Sequence, residues 1–191
     1  WGDIVSGGNS RVATAGDPVI QPGLIDVGCV AANAQNVATL SGSGSLPGAN
    51  VDAGYAQVIP GMVRSDGAIL EVGTISASTV SAFIGQAVKK SGRTTGLSRS
   101  SVSGLNATVN IQYENECAGD PSFIKTFTGQ VVISNRGSKF LAGGDSGSLM
   151  VEDATTNPHA VGLLYAGSSF DAIANPIGAV LSWAGATMVG Q

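Results

Sequence analysis

A short glycine-rich loop around residue 146 carries the serine best suited to nucleophilic catalysis. The run Gly143–Leu149 reads Gly-Gly-Asp-Ser-Gly-Ser-Leu. Glycines on both sides let the backbone turn sharply and direct its N–H groups toward one point, where they could stabilise an oxyanion. We therefore predict Ser146 as a nucleophile, with the N–H groups of Gly144 and Ser146 as the oxyanion hole. The alternative is an ordinary Gly-Asp-Ser turn on the surface.

A serine hydroxyl needs a neighbouring base, which is usually a histidine. The chain has one histidine, His159, and it follows the serine. Because an asparagine and a proline precede it, we interpret His159 as a solvated turn residue and not as the base. Lys89, Lys90 and Arg93 are interpreted as a solvated hairpin, and a serine–lysine dyad that uses one of them stays an open alternative.

The composition predicts many short strands. Hydrophobic residues make up 43% and charged residues 12% of the 191 residues, so the core is ample and disorder is not expected. The 28 glycines, together with abundant Val, Ile, Thr and Ser, suit strands joined by tight turns. The predicted strands are Val19–Ile20, Val27–Val30, Val37–Leu40, Val51–Ile59, Ser101–Asn110, Phe123–Thr128, Gln130–Asn135, Ser148–Glu152 and Ala160–Tyr165.

The end of the chain is predicted to be a helix over Ala174–Met188. Asn175 would be its N-cap and Pro176 its first residue, because proline is tolerated where no N–H is needed. The apolar positions that would form a core-facing stripe are Ile177, Val180, Leu181 and Ala184.

The composition changes near residue 86, where the polar, turn-rich stretch Lys89–Gly96 follows. This change predicts two domains, over residues 1–86 and 87–191. Two small antiparallel barrels fit many strands and one terminal helix, and a two-sheet sandwich fits them too.

The charge and the cysteines exclude several functions. A net charge of −4 argues against nucleic acid or an anionic membrane as a partner. No apolar run is long enough to span a membrane. Cys29 and Cys117 are far apart and cluster with no histidine, so we expect no metal and no cofactor. The two cysteines fit a disulfide and two buried thiols equally, and the low charge slightly favours an exported protein.

Three segments resemble the trypsin/chymotrypsin-like serine peptidases, above all their bacterial members. Gly143–Leu149 with Ala160–Ser168 resembles the nucleophile half, Lys90–Gly96 resembles the opening of the second barrel, and Asp17–Gly23 resembles the segment shortly after the catalytic histidine. The resemblance implies an all-β fold of two antiparallel six-stranded-type barrels, the first incomplete, with a C-terminal α-helix. It implies a serine endopeptidase that hydrolyses peptide bonds through an acyl-enzyme.

The resemblance also assigns roles. Ser146 would be the nucleophile, Gly144 and Ser146 the oxyanion donors, and Asp52 the carboxylate that accepts the far N–H of the imidazole. Asp145 would only shape the loop. The substrate pocket would be built from residues that precede the nucleophile, namely Lys139, Phe140 and Leu141, and from residues on the strand side, namely Tyr165, Ala166 and Gly167. Since no carboxylate stands where Lys or Arg recognition would need one, the resemblance implies an apolar or small pocket.

The family's histidine precedes its aspartate, yet no histidine precedes Asp52 here. Cys29–Ala32 is followed by Asn33 where a histidine would be needed, so that match is rejected. We expect the catalytic histidine to lie upstream of Trp1, outside these 191 residues. The sequence leaves open whether the chain is a fragment or the product of proteolytic processing, for example autocleavage. The expected partners are a peptide or protein substrate and that N-terminal fragment. The alternatives are an inactive pseudoprotease that binds peptides and a structural β module.

Overall fold

The computed structural model describes residues 3–4, 14–43, 49–113, 123–136 and 139–191. Within these ranges the chain forms twelve strands and one α-helix, together with 3₁₀ turns at Leu24–Val27 and Ala31–Asn33. In chain order the elements are β1 (Asp3–Ile4), β2 (Pro18–Gln21), β3 (Gln35–Ser43), β4 (Gly54–Val58), β5 (Ala68–Ile69), β6 (Gly73–Thr74), β7 (Ala87–Gly92), β8 (Gly96–Tyr113), β9 (Phe123–Ser134), β10 (Leu149–Glu152), β11 (Ala160–Gly167), β12 (Asp171–Pro176) and α1 (Ile177–Ala184).

The chain divides into two compact units. The first unit comprises Trp1–Arg64 with Asn110–Thr126, and the second comprises Ser65–Val109 with Phe127–Gln191. The units are defined by packing, and the assignment of domains to residues 1–86 and 87–191 stays a prediction.

The first unit is built on an open antiparallel sheet in the order β1-β2-β3-β4. The residues buried beneath it are apolar, which explains why these short strands hold together: Ile20, Leu24, Ala38, Leu40 and Val51. Cys29 is disulfide-bonded in this unit. The other cysteine of the sequence, Cys117, lies outside the described residues.

The second unit contains a closed antiparallel barrel in the order β10-β11-β12-β9-β8-β7. Closure leaves no unpaired strand edge and surrounds one apolar core. The buried residues of that core are Val88, Val102, Val131, Ile133, Phe140, Leu141, Met150, Val161, Leu164, Ala172 and Ala174. The predicted all-β fold, with an incomplete first barrel and a C-terminal helix, is confirmed.

The predicted strand at Val27–Val30 is wrong. The chain forms a 3₁₀ turn at Leu24–Val27, followed by Gly28 and Cys29 with φ of 63° and 60°. Two consecutive residues in the left-handed region cannot continue a strand. The predicted pair Phe123–Thr128 and Gln130–Asn135 is instead the single strand β9, which passes through Gly129 at a φ of 71°.

The C-terminal helix is shorter than predicted. Asn175 is not its N-cap, because it pairs with Leu163 as part of β12 and its side chain is buried. The helix ends at Ala184 and is capped by Gly185, whose φ of 60° suits glycine. The predicted stripe does face the protein, since its four positions are buried or half-buried while Gly178, Ala179 and Ser182 are exposed. No helix in the described ranges is long and apolar enough to cross a membrane.

Candidate active site

The loop that carries Ser146 is attached to strand β11. The N–H of Gly147 donates to the carbonyl of Leu164 at 2.7 Å, and the N–H of Leu164 donates to the carbonyl of Ser148 at 3.0 Å. The Ser146 hydroxyl donates to the carbonyl of Tyr165 at 3.0 Å. The loop therefore holds Ser146 at the end of β11, with its hydroxyl hydrogen on a main-chain carbonyl.

Asp145 organises this loop from the inside. Its side chain is fully buried, and its carboxylate accepts the N–H groups of Thr94 at 2.8 Å, Thr95 at 3.2 Å and Ala142 at 3.0 Å. The Thr95 hydroxyl also donates to it, at 2.7 Å. Burial raises the pKa of Asp145, but the Ala142 N–H and the other donors outweigh burial, so the pKa lies below its ordinary value.

The counter-charge of Asp145 is Lys90, and this corrects the sequence prediction. Lys89 and Lys90 are buried, with Lys90 fully so, and of the three basic residues predicted to be solvated only Arg93 is exposed. Burial lowers the pKa of Lys90, and Asp145 opposes that shift. The oxygens around the Lys90 Nζ are Asp145 Oδ2 at 3.2 Å, the Gly96 carbonyl at 3.2 Å and the Thr95 hydroxyl. With its ammonium committed in this way, Lys90 does not form a dyad with Ser146.

Two glycines allow the hairpin and the loop to approach so closely. A Cβ atom at Gly92 would overlap Asp145 Oδ1 and lie 2.6 Å from Lys90 Nζ. Gly144 has a φ of 94°, and a Cβ atom there would lie 2.6 Å from Thr94 Oγ1. Both positions therefore require glycine on steric grounds.

A cavity of about 590 Å³ opens beside Ser146, entirely within the second unit. Ala166 and Gly167, predicted as substrate-binding residues, line it. Tyr165 is buried instead, and its ring packs edge-on against Phe127 with centroids 5.3 Å apart. The lining residues are Thr95, Asn135, Lys139, Leu141, Ala142, Gly143, Ser146, Ala166, Gly167, Ser168 and Ser169.

Asn135 joins the two walls of this cavity. Its Nδ2 donates to the carbonyl of Leu141 at 3.0 Å and to the carbonyl of Ser168 at 2.7 Å. Its Oδ1 accepts the N–H of Leu141 at 3.0 Å. One buried amide thus fixes the distance between the segment that precedes the serine loop and the segment that follows β11.

The predicted oxyanion donors, the N–H groups of Gly144 and Ser146, lie on either side of Asp145, whose own N–H is already hydrogen-bonded. The N–H of Asp145 donates to the carbonyl of Ala142 at 3.0 Å. Within the part of the chain that the structure describes, no protein acceptor takes the N–H of Gly144 or Ser146. Both groups remain available to a ligand, and their role as an oxyanion hole stays a prediction.

Asp52 lies in the first unit, just before β4, and is bound to other side chains there. It accepts the hydroxyl of Tyr113, whose ring stacks on Phe123 with centroids 5.1 Å apart. Burial raises the pKa of Asp52, while the Tyr113 hydrogen bond and the positive charge of Lys125 lower it less strongly. Its role in a triad stays a prediction.

His159 lies at the wrong end of β11 to serve Ser146. It comes directly before Ala160 at the start of the strand, whereas Ser146 contacts Tyr165. Five residues of strand separate those points by about 16 Å, at roughly 3.3 Å per residue. The His159 Nδ1 lies 2.7 Å from Glu152 Oε2, so the imidazole is held by a carboxylate at its own end of the barrel.

Comparison with protein families matches residues 49–175 to the Nal1 C-terminal domain. The chain belongs to this family. The matched range includes Asp52, the Lys90–Asp145 pair and Ser146. A comparison with curated proteins found no match.

Solved structures place the chain among the chymotrypsin-like folds. A chymotrypsin from Cellulomonas bogoriensis is 20% identical with a TM-score of 0.64, and the match covers 95% of this chain and 84% of the chymotrypsin. Protease A from Thermobifida fusca is 22% identical with a TM-score of 0.62, and the match covers 95% of this chain and 82% of the protease. A glutamic acid-specific serine protease, described as using a histidine triad in substrate binding, is 25% identical with a TM-score of 0.59, covering 82% and 76%. The fold predicted from the resemblance is therefore shown.

The sequence did not predict the structural roles of Lys90 and Asn135. A lysine between polar residues is typical of a solvated turn, and only the fold shows that Asp145 lies beside it. Asn135 stands at the end of a predicted strand, where an amide usually marks a turn. No group of three or more His, Cys, Asp or Glu side chains in the described ranges is placed to hold a metal ion.

Replacing Gly167 with valine should close the cavity of this domain. A Cβ atom at Gly167 would lie 2.6 Å from Leu141 Cδ2 and 3.1 Å from the Asp171 carbonyl oxygen. We expect peptide binding at least about tenfold weaker and a stability loss of about 1–3 kcal/mol from overpacking. Fluorescence anisotropy with a labelled tetrapeptide measures the first, and urea unfolding the second. Gly178→Ala, where a Cβ atom meets nothing within 4 Å, is the control; equal binding by both variants would contradict the prediction.

Proposed function

We propose that this chain carries the nucleophile of a serine endopeptidase, with Ser146 forming the acyl-enzyme. The observation that carries the proposal is the position of Ser146 at the edge of a cavity, on a loop fixed by the buried Lys90–Asp145 pair. A loop held by a buried charge pair and several hydrogen bonds can keep a nucleophile and backbone donors in one geometry. A structural β module would need no such cavity.

The chemistry would follow the general course of serine hydrolases. A base removes the Ser146 hydroxyl proton as the oxygen adds to the substrate carbonyl carbon, and the carbonyl oxygen becomes an oxyanion. The N–H groups of Gly144 and Ser146 would stabilise that oxyanion, each by roughly 3 kcal/mol. The base then returns the proton to the leaving amine, and water hydrolyses the acyl-enzyme.

The base is proposed to be a histidine on a segment outside the 191 residues, with Asp52 as its carboxylate partner. The sole histidine of the sequence, His159, is bound to Glu152. Asp52 would receive the imidazole N–H and stabilise the imidazolium. On this proposal the 191 residues alone are a poor catalyst, because the Ser146 hydroxyl is not activated.

A second candidate is a peptide-binding protein without catalysis. The observation that favours it is the hydrogen bond from the Ser146 hydroxyl to the Tyr165 carbonyl, which leaves that hydrogen on a group that cannot act as a base. A cavity with fixed walls would serve to bind a peptide in either case.

Labelling by a fluorophosphonate probe tests the two candidates. We expect label on Ser146 in a protein extended upstream of residue 1 to include a histidine, and at most trace label in the 191-residue chain. Ser146→Ala should remove the label, and Ser103→Ala, at an exposed position of β8, should leave it unchanged. Labelled protein is measured by mass after digestion. Absence of label in the extended protein favours the peptide-binding candidate, and strong label in the short chain contradicts an upstream base.

A further inference from the structure

A positive side chain lines the cavity, and two more lie near its lining residues, in a protein whose net charge is −4. Among the described residues that line the cavity, Lys139 is the one that carries a charge. Arg93 lies against the serine loop, since a Cβ atom at Gly144 would be 3.1 Å from its Nη1. Arg136, next to the wall-bridging Asn135, places its guanidinium 5.0 Å from the centroid of the Phe170 ring. The charge on the described lining residues is thus positive, opposite in sign to that of the whole chain.

No carboxylate in the described residues neutralises Lys139. The described lining residues include no Asp or Glu, and the nearby Asp145 is fully buried with its charge matched by Lys90. Lys139 is exposed and forms no ion pair within the described ranges. Its ammonium is therefore available to an anionic group that enters the cavity.

The lining also offers a hydroxyl donor and an apolar wall. The Ser168 Oγ accepts the N–H groups of Phe170 at 3.1 Å and Asp171 at 3.2 Å. Those bonds use its lone pairs, so its hydrogen is the part that remains to be donated. Leu141, Ala142 and Ala166 provide apolar surface that could contact the methylene groups of a longer side chain.

We propose that this cavity binds the carboxylate side chain of an acidic residue in a peptide, with Lys139 as the counter-charge and Ser168 as a hydrogen-bond donor. The inference rests on the proposed function and names its substrate class: the acidic residue would precede the bond that Ser146 attacks. This proposal replaces the expectation of an apolar or small pocket. Glutamate suits the site better than aspartate, since its extra methylene reaches along the apolar wall.

Peptide binding to the 191-residue chain provides the test without requiring catalysis. Three fluorescent tetrapeptide amides that differ only in a final Glu, Gln or Leu are compared by anisotropy at neutral pH and low salt. We expect the Glu peptide to bind about fivefold more tightly than the Gln peptide, as for a partly exposed charge pair. The preference should shrink at high salt, where exposed charges are screened.

Charge variants assign the preference to Lys139. Lys139→Gln should abolish the preference for Glu over Gln, and Lys139→Glu should reverse it. Arg99→Gln is the matched control, because it removes the same charge from an exposed residue that pairs with Asp153 elsewhere on the barrel. A preference that survives Lys139→Gln, equal binding of all three peptides, or no binding of any peptide overturns the proposal. Fluorophosphonate labelling reports separately on catalysis, so a preference for Glu in an unlabelled protein contradicts only the proposed peptidase function.

Discussion

Replacing Lys90 with methionine will destabilise this domain by about 3–5 kcal/mol, because it leaves the Asp145 carboxylate buried without its counter-charge. Both side chains are fully buried, and Asp145 connects the hairpin at Thr94 and Thr95 to the serine loop at Ala142. Urea unfolding at pH 7 measures the loss. The same variant should lose fluorophosphonate labelling in the extended protein even where it remains folded, since the loop loses its anchor.

A second substitution separates the charge from the packing. In Lys90→Met with Asp145→Asn no charge is buried, so we expect the double variant to recover part of the loss. Full recovery is not expected, because an amide nitrogen cannot accept the Ala142 N–H. Two results would show that the Lys90–Asp145 pair does not hold the loop. One is a Lys90→Met variant as stable as the unmodified protein. The other is a double variant whose loss of stability exceeds the sum of the losses of the two single variants.

The pKa of Asp145 gives this pair a pH signature. Its pKa lies below the ordinary value in the folded protein, so its contribution to stability is present above the unfolded value of about 4 and is lost as pH falls through the lower folded value. Asp145→Asn should therefore flatten the acid limb of the stability curve.

Replacing Asp52 with asparagine will have opposite effects on catalysis and stability. If Asp52 orients the imidazole, labelling and peptide hydrolysis by the extended protein should fall by about 10⁴-fold, the order expected when a triad carboxylate becomes an amide. The domain itself should become more stable at pH 7. Asparagine keeps an oxygen to accept the Tyr113 hydroxyl but carries no charge that burial disfavours.

The sign of the stability change follows from the raised pKa of Asp52. A carboxyl whose folded pKa lies above the unfolded value favours the folded state at low pH, and that advantage is lost as pH rises through the folded pKa. The gain from Asp52→Asn should thus be absent below about pH 4 and grow above it. Thermal unfolding at several pH values measures this gain. Asp52→Asn with unchanged catalysis would contradict the triad role, and a loss of stability at pH 7 would contradict the cost of burial.

The sequence predicts those features that depend on local pattern. Short runs rich in apolar residues at Val37–Leu40 and Ala160–Tyr165 identify strands, and the spacing of Ile177 and Val180 identifies the face of a helix. Patterns fail where a contact distant in sequence decides the conformation. Asn175 has the residue type of a helix cap, but pairing with Leu163 across the barrel keeps it in a strand.

In the candidate site, too, local sequence predicts some features, whereas others depend on contacts between distant parts of the chain. Gly144 and Gly147 around Ser146 mark the loop, since both need a positive φ. The burial of Lys90 depends on the carboxylate of Asp145, far along the chain. No local sequence pattern encodes that contact. The cavity wall formed by Asn135 likewise depends on segments that follow it in the chain, at Leu141 and Ser168.

Asn135 also determines how selective the cavity can be. Because its amide spans both walls through bonds within the protein, the width of the cavity does not depend on an occupant. A ligand entering a preorganised site loses little affinity to the ordering of its walls, and a side chain of the wrong size cannot widen them. Discrimination here should thus be set by shape and charge in advance of binding, which makes the lining side chains, and not the amide, the positions at which a new preference could be engineered.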